Sequence, residues 1–289
     1  MINFSFVIPH HNCPALLNRC IASIPQRDDI EVIVVDDKSD IDKLPQIDRQ
    51  DVKVYFIGNI ESRGAGHARN IGITHATGRW LLFADADDFY ADNMIDSLDK
   101  IVDSDYDIVF WGVHYNYIVE TGLEDDSIYN SAIKKYLVDK SPKSLTHLKH
   151  LKNEPWNKMV RKEYVDKINA RFHEVPVCND AWFSHYVAAN TNKIYAITEK
   201  LYYWVKNSNS MTNKRVSYSI ERQREEESLK VHILKIQSGA DVTFRSVFIG
   251  LHAIVQQLGL IIAIRILFMK IKSFLIIICY KLKSLFNKG

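Results

Sequence analysis

Three carboxylates within four residues, Asp85, Asp87 and Asp88, follow directly on the apolar run Trp80-Leu81-Leu82-Phe83-Ala84. Acids this close repel one another unless a cation neutralises them. Hard divalent ions such as Mg²⁺ or Mn²⁺ take carboxylate oxygens and often share their shell with phosphates. A metal-bound diphosphate is the client such a cluster suggests, although neighbouring Asp residues also begin loops and cap helices. A second pair, Asp36-Asp37, ends the run Glu31-Val32-Ile33-Val34-Val35. A carboxylate there can accept from a uracil N3–H or a ribose hydroxyl, or simply close an Asx turn. Asp180 opens a helical pattern that runs to Ala189, where it reads either as a cap or as a general base facing a cleft. Arg69 lies on the first turns of a helix introduced by Gly64 and Gly66, a start that offers free N–H groups to an anion. Its alternative is a plain surface charge.

The elements that must carry these residues are legible as a rhythm. An apolar run bounded upstream by Gly78 reads as a buried strand, so the acids sit at its carboxyl end, where ligands bind in an open α/β sheet. Further strands are predicted over 4–8, 31–35, 52–57 and 106–113, with helices over 14–24, after Gly66 and over 93–102. That alternation predicts a mostly parallel sheet with helices on both faces. The first connecting turn, His10-His11-Asn12-Cys13, contains no glycine, which argues against the pyrophosphate cradle of NAD or FAD proteins. Near Tyr117 the rhythm breaks. A Lys-rich stretch with a boundary at Ser141-Pro142 follows, then Trp156-Asn157-Lys158, a strand over 201–205, a polar loop over 207–212 and a charged helix over 214–236.

Charge is unevenly spread along the 289 residues. All 35 acids precede Val242, whereas 7 of the 37 basic residues follow it, which leaves the first 241 residues at −5 under a basic, apolar tail. A nucleic-acid binder would carry its positive charge on the folded face, so nucleic acid is excluded as a partner, and a catalyst held against an anionic membrane surface is indicated. The four cysteines have neither CxxC spacing nor a clustered His partner, so no zinc site or disulfide framework is expected. Residues 1–8 lack a basic n-region and a cleavage site, which implies a strand and a cytoplasmic catalytic part. In the tail, Leu267, Ile271, Phe274, Ile278, Leu282 and Leu285 share one helical face, with Arg265, Lys272 and Lys283 elsewhere, the pattern of a helix lying flat in an interface. The competing readings are a membrane-spanning stretch over Ser246–Ile264, uncharged but interrupted by His252, Gln256, Gln257 and two glycines, and a core or dimer-forming helix.

Taken in order, Val7-Ile8-Pro9-His10-His11-Asn12, Val34-Val35-Asp36-Asp37-Lys38-Ser39-Asp40, Gly64 with Ala68-Arg69-Asn70 and Gly72, Ala76-Thr77-Gly78, Phe83-Ala84-Asp85-Ala86-Asp87-Asp88, Trp156-Asn157-Lys158 and Asp180 resemble the family 2 glycosyltransferases of the GT-A fold. Ser208 and Ser210-Met211-Thr212 resemble that family's late Ser-rich loop. The resemblance covers roughly the first 210 residues and implies a Rossmann-like α/β fold, extended here by an amphipathic helical tail. It implies a nucleotide-sugar-binding half over 1–117, an acceptor-binding half over 118–213 and a helical region over 214–289. By position, Pro9 and His11 would line the base pocket, where the family usually has an aromatic residue at His11. Asp36, with Asp37 beside it, would bind the base, and Arg69 would lie beside the nucleotide. Asp85-Ala86-Asp87 would form the DXD motif, with Asp85 and Asp87 toward the ribose and a Mn²⁺ or Mg²⁺ ion. Asp180 would deprotonate an acceptor hydroxyl, although the family more often has Glu-Asp than Asn179-Asp180. Trp156, Asn157 and Lys158 would face the acceptor, Trp156 as a plate for a sugar or else as a core residue.

The activity implied is inverting, metal-dependent transfer from a nucleotide-sugar, expected to be a UDP-sugar, to a saccharide or lipid-linked saccharide at the inner membrane face. A catalytically silent scaffold of the same fold is the rival. Nucleotidyl transfer would want a Gly-rich basic loop after the first strand, which is absent.

Overall fold

The structure, a computed structural model, describes residues 1–57, 63–125, 127–206, 217–243, 247–248 and 260–286. The Ser-rich loop at 208–212 and most of the stretch from Ser246 to Ile264 lie outside them.

Its centre is β1 (Phe4–His10), in which every residue except Pro9 is buried, flanked in parallel by β2 (Ile30–Asp36) and β4 (Trp80–Phe83), with β3 (Val52–Phe56) parallel beyond β2. Strands covered on both faces read as near-continuous apolar runs, which makes β1, β2 and β4 legible in the sequence. Helices α1 (Pro14–Ala22) and α2 (Ala65–His75) supply the crossovers. The second packs so closely that a Cβ on Gly72 would stand 2.3 Å from Val7 Cγ1, so only glycine fits there without a shift.

Beyond β4 the sheet becomes mixed. The two-residue β5 (Phe89–Tyr90), β6 (Ile108–Tyr117), β7 (Lys158–Arg161) and β8 (Ile194–Val205) complete an eight-stranded order β3-β2-β1-β4-β7-β6-β8-β5. Four pairings are parallel, and the three made by β7 with β4 and β6 and by β5 with β8 are antiparallel. Because β7 inserts between β4 and β6, one sheet runs through both the 1–117 and the 118–213 segments. Short helices α3 (Met94–Asp99), α4 (Ile128–Asp139), α5 (Pro142–His150) and α6 (Lys162–Lys167) border it. The Ser141 hydroxyl caps α5 by accepting from the Ser144 N–H, with Pro142 at the first helical position.

Helix α7 (Asn179–Ala189) is drawn under β4 by an aromatic trio. Phe172 stacks on Phe183 at 4.1 Å, and Phe83 meets both edge-on at 5.1 and 5.4 Å. Phe83 immediately precedes the Ala84-Asp85 step, so this packing brings the start of α7 to the acid-bearing strand end. Helix α8 (Tyr218–Gln237) packs on α7, and α9 (Leu260–Phe286) packs on α8. A chain of neutral histidines fastens these layers. His185 Nε2 bonds Asn153 Oδ1 at 2.8 Å, its Nδ1 meets His150 Nδ1 at 3.1 Å, and His150 Nε2 meets Ser238 Oγ at 2.8 Å. An amide oxygen can only accept, so His185 carries its proton on Nε2 and His150 on Nδ1. Burial holds both rings neutral, with His150 pushed down to about 3 and His185 well below its usual value.

Candidate active site

At the carboxyl ends of β1 and β2, the Cys13 N–H donates to His10 Nε2 at 3.2 Å, which places the ring proton on Nδ1, 2.7 Å from Asp36 Oδ1. Ser39 Oγ donates to the same oxygen and the Ser39 N–H to Asp36 Oδ2. Asp36 is 2 % exposed and carries these bonds on both oxygens. Asp37, also buried, accepts from the N–H groups of Arg63 and Gly64 at 3.0 and 2.8 Å and so shapes the entry to α2. Above them Pro9 is half-buried and the His11 ring is exposed, its Nδ1 donating to the Asp37 carbonyl at 2.9 Å. The turn that lacks glycine is built by Asn12, which adopts φ 56° and exchanges bonds with Asp40 across the gap. Asn is among the residues that tolerate this left-handed conformation.

The acids after β4 differ among themselves. Asp88 is 1 % exposed and accepts from the Tyr202 hydroxyl at 2.9 Å and the Val205 N–H at 2.8 Å, while burial, aided by the charges of Asp85 and Asp87, pushes its carboxyl well above the usual range. It anchors the loop to β8. The Tyr202 hydroxyl also accepts from the Asp85 N–H at 2.9 Å. Ala86 is buried, and Asp87 is half-buried with its carbonyl accepting from Arg19. Asp85 keeps 33 % of its side-chain surface open and receives the buried Arg69 guanidinium on Oδ1 at 2.5 Å.

Arg69 reaches across the centre. Its other terminal nitrogen donates to Asn179 Oδ1 at 3.0 Å, and its carbon lies 5.3 Å from the Phe172 ring. The preceding residue of α7's entry, Cys178, holds φ 57°, an uncommon value for a residue with a side chain, and this turn sets Asn179 and Asp180 at the helix start. Asp180 is half-buried. Burial raises its carboxyl from 3.8 to about 6, the Arg69 charge opposes the rise, and Glu154 and Asp85 add to it. Arg69, Asp85 and Asp180 are therefore one electrostatic unit.

Trp156, Asn157 and Lys158 depart from expectation. All three are buried, at 3, 1 and 2 % exposure, so none offers a face to an acceptor. Trp156 stacks on Tyr202 at 5.0 Å, the Asn157 carbonyl accepts from Trp111 N–H and Tyr129 hydroxyl, and the Lys158 ammonium donates to the Glu154 carbonyl at 2.6 Å. Burial brings Lys158 down to about 7, against the pull of Glu154 and Asp180. Tyr202, Asn179 and Glu154 escaped the sequence reading. Asn179 stood out only as a missing acid, and the other two carry no pattern of their own.

Among the described residues no group of three His, Cys, Asp or Glu side chains gathers around one point. Asp85 and Asp87 offer hard oxygens, and among those residues Asp85 Oδ2 has no hydrogen-bond partner. Such a sparse carboxylate set suits a Mg²⁺-like ion that takes the rest of its shell from phosphate and water.

The family model described as Glycosyl transferase family 2 matches residues 5–168, from β1 through α6. The chain belongs to that family. Glycosyltransferase GlyG of Streptococcus pneumoniae is 34 % identical over 119 residues, 39 % of each chain. The uncharacterized glycosyltransferase EpsJ of Bacillus subtilis is 24 % identical over 72 % of this chain and 62 % of its own. This chain therefore spans less than two thirds of the length of either relative. The crystal structure of Staphylococcus aureus TarS 1-349 in complex with UDP-GlcNAc superposes with a TM-score of 0.62 at 19 % identity, covering 94 % of this chain and 81 % of that one. The mixed sheet with flanking helices is thus GT-A-like, as the resemblance implied. Poly(ribitol-phosphate) beta-N-acetylglucosaminyltransferase TarS itself is 25 % identical over 71 % of this chain and 35 % of its own.

Proposed function

We propose that this family 2 member is an inverting transferase that moves a sugar from a UDP-sugar to a hydroxyl of a saccharide or lipid-linked saccharide in surface polysaccharide synthesis. The observation that carries the reading is the Arg69 bridge, which ties Asp85 of the acid cluster to Asn179, the residue before Asp180. Transfer with inversion needs the leaving diphosphate stabilised on one side of the anomeric carbon and a base on the other, roles that the acid cluster and Asp180 fit. The bound UDP and UDP-GlcNAc in the TarS crystal structures support a UDP-sugar as the donor class.

In this reading Pro9 and the exposed His11 line the base, over Asp36 and Asp37, whose buried carboxylates keep that turn in shape. Asp85 and Asp87 would hold a divalent ion, which when bound supplies Lewis-acid stabilisation to the leaving diphosphate. Arg69 keeps Asp85 oriented and offsets negative charge in a poorly solvated site. Asp180 accepts the acceptor's proton as its oxygen bonds to the anomeric carbon, while the bond to the diphosphate breaks and the electron pair leaves with it. A carboxyl titrating at about 6 is ionised at neutral pH yet basic enough for this transfer.

A cytoplasmic enzyme with this helical tail would meet lipid-linked acceptors at the inner membrane face. The test is UDP release from a panel of UDP-sugars, with Mn²⁺ or Mg²⁺ and with EDTA. Release that requires metal and is lost in Asp180→Asn is expected. A protein that binds no UDP-sugar with Mn²⁺ present would sink the reading and leave the scaffold alternative.

A further inference from the structure

Helix α9 has two apolar faces, and only one is used by the fold. Its inner face, Ala263, Ile266, Lys270, Ser273 and Ile277, is buried. There the Lys270 ammonium, itself buried, donates to Glu225 of α8 and to the Val247 carbonyl. On the opposite side Ile261, Ile264, Phe268, Ile271, Leu275 and Ile278 stand exposed at alternating steps of three and four residues. Phe268 is 67 % and Leu275 57 % exposed. The face expected from sequence mixed the two sides, because Leu267 and Phe274 are half-buried, the latter packed against Phe248. At about 100° per residue, Arg265, Lys272 and Lys283 fall within about 20° of one another, along one edge of the exposed stripe. All three are exposed, and among the described residues none has an ion-pair partner, whereas Lys270 and Lys281 are bonded to Glu225 and Asp241.

We propose that this outer face of α9 lies flat in the surface of an anionic lipid bilayer. Charge decides the occupant. No Asp or Glu follows Asp241, so the α9 of a second copy would bring no carboxylate to Arg265, Lys272 and Lys283, whereas anionic headgroups meet all three. Crossing the bilayer is disfavoured by the same residues. The helix is 27 residues, about 40 Å, but its first half carries Arg265, Lys270 and Lys272. No helix among the described residues is long and apolar enough to cross a membrane. A stripe of large aliphatic and aromatic side chains edged by cations is the arrangement that buries its apolar side to the headgroup boundary. The inference rests on α9 alone and stands or falls separately from the transferase reading.

The test is co-sedimentation of the full chain with vesicles of phosphatidylcholine alone or with 30 mol % phosphatidylglycerol at two salt concentrations. The expected result is binding to the phosphatidylglycerol vesicles that weakens with salt. Phe268→Glu with Leu275→Glu should reduce binding at least 100-fold while UDP-sugar binding is retained. Arg265→Gln, Lys272→Gln and Lys283→Gln should each reduce it about five-fold, the equivalent of about 1 kcal/mol. Binding to neither vesicle overturns the proposal, as does equal binding to both. Resistance to alkaline carbonate extraction, which would show a spanning helix, overturns it too. So does a dimer in sedimentation velocity that the Glu pair dissolves without any vesicle binding by the native chain.

Discussion

Replacing Asp180 by Asn should destroy activity and raise stability at the same time. The carboxyl titrates at about 3.8 when solvated and at about 6 in the fold, because burial outweighs the help of Arg69. The native state therefore binds the proton more tightly than the unfolded chain does. Stability from this group is full below pH 4 and is lost as pH rises through about 6. The difference between 3.8 and about 6 corresponds to about 3 kcal/mol carried as a penalty at pH 8. Asn cannot ionise, so the variant should be more stable than the native protein at pH 8 by roughly 2–3 kcal/mol, about 3–5 °C in Tm for a chain of this size. The difference should vanish near pH 4. Transfer should fall by about 10²–10⁴ if the side chain removes the acceptor's proton. Paired thermal melts from pH 4 to 8, with UDP release at pH 7.5, measure both quantities. A variant less stable than the native protein at pH 8, or equally shifted at pH 4 and 8, would refute the buried-base argument. One that turns over within tenfold of the native rate would refute the catalytic assignment.

Arg69→Met should move the acidic limb of the kcat/KM profile upward, because the guanidinium is the main influence opposing the rise of the Asp180 carboxyl; a limb that stays at about pH 6 would count against that coupling. Gly72→Ala should cost about 1–3 kcal/mol in urea unfolding, since the new methyl would stand 2.3 Å from Val7 Cγ1 and α2 must shift off β1. The histidines held neutral by burial, His150 at about 3 and His232 at about 4, give the opposite pH signature to Asp180. Their folded values lie below the unfolded value of about 6.5, so stability is present above pH 6.5 and lost progressively as pH falls toward 3. Melts of Asp180→Asn, free of the competing group, should show that loss with a maximum near neutral pH.

The half of the fold that sequence reveals is the half held by local rules. Strands β1, β2 and β4 are largely apolar and almost wholly buried because helices cover both faces, and the acids that end β2 and follow β4 mark the carboxyl ends where ligands bind in such sheets. Strand β7 is different. Its four residues become a strand only by lying between β4 and β6, contacts some 50 to 80 residues away in sequence that leave no local trace. The same reason explains Trp156-Asn157-Lys158, where an amide and an ammonium suggest a surface. The ammonium is affordable inside because the Glu154 carbonyl and Ser184 hydroxyl accept from it and its charge is easily given up. The place of Asp36 after β2 suggests a ligand-binding carboxylate, but the bonds from His10 and Ser39 that occupy its Oδ1 come from residues whose approach spacing does not show.

The departure at Asn179 has a physical logic of its own. Its side-chain oxygen accepts from Arg69 as a carboxylate would, so the bridge to Asp85 survives the change. A carboxylate in its place would put a second negative charge one residue from Asp180, in a site where Glu154 and Asp85 already raise that group's proton affinity. The base would then be protonated over more of the neutral range. With Asn179, Arg69 keeps its full charge for Asp85 and Asp180, and Asp180 stays ionised near pH 7. Asn179→Asp should therefore shift the acidic limb upward while Asn179→Ser, which keeps an acceptor without charge, should not; a profile unmoved by the acid would show that the two sites are better screened than their burial implies.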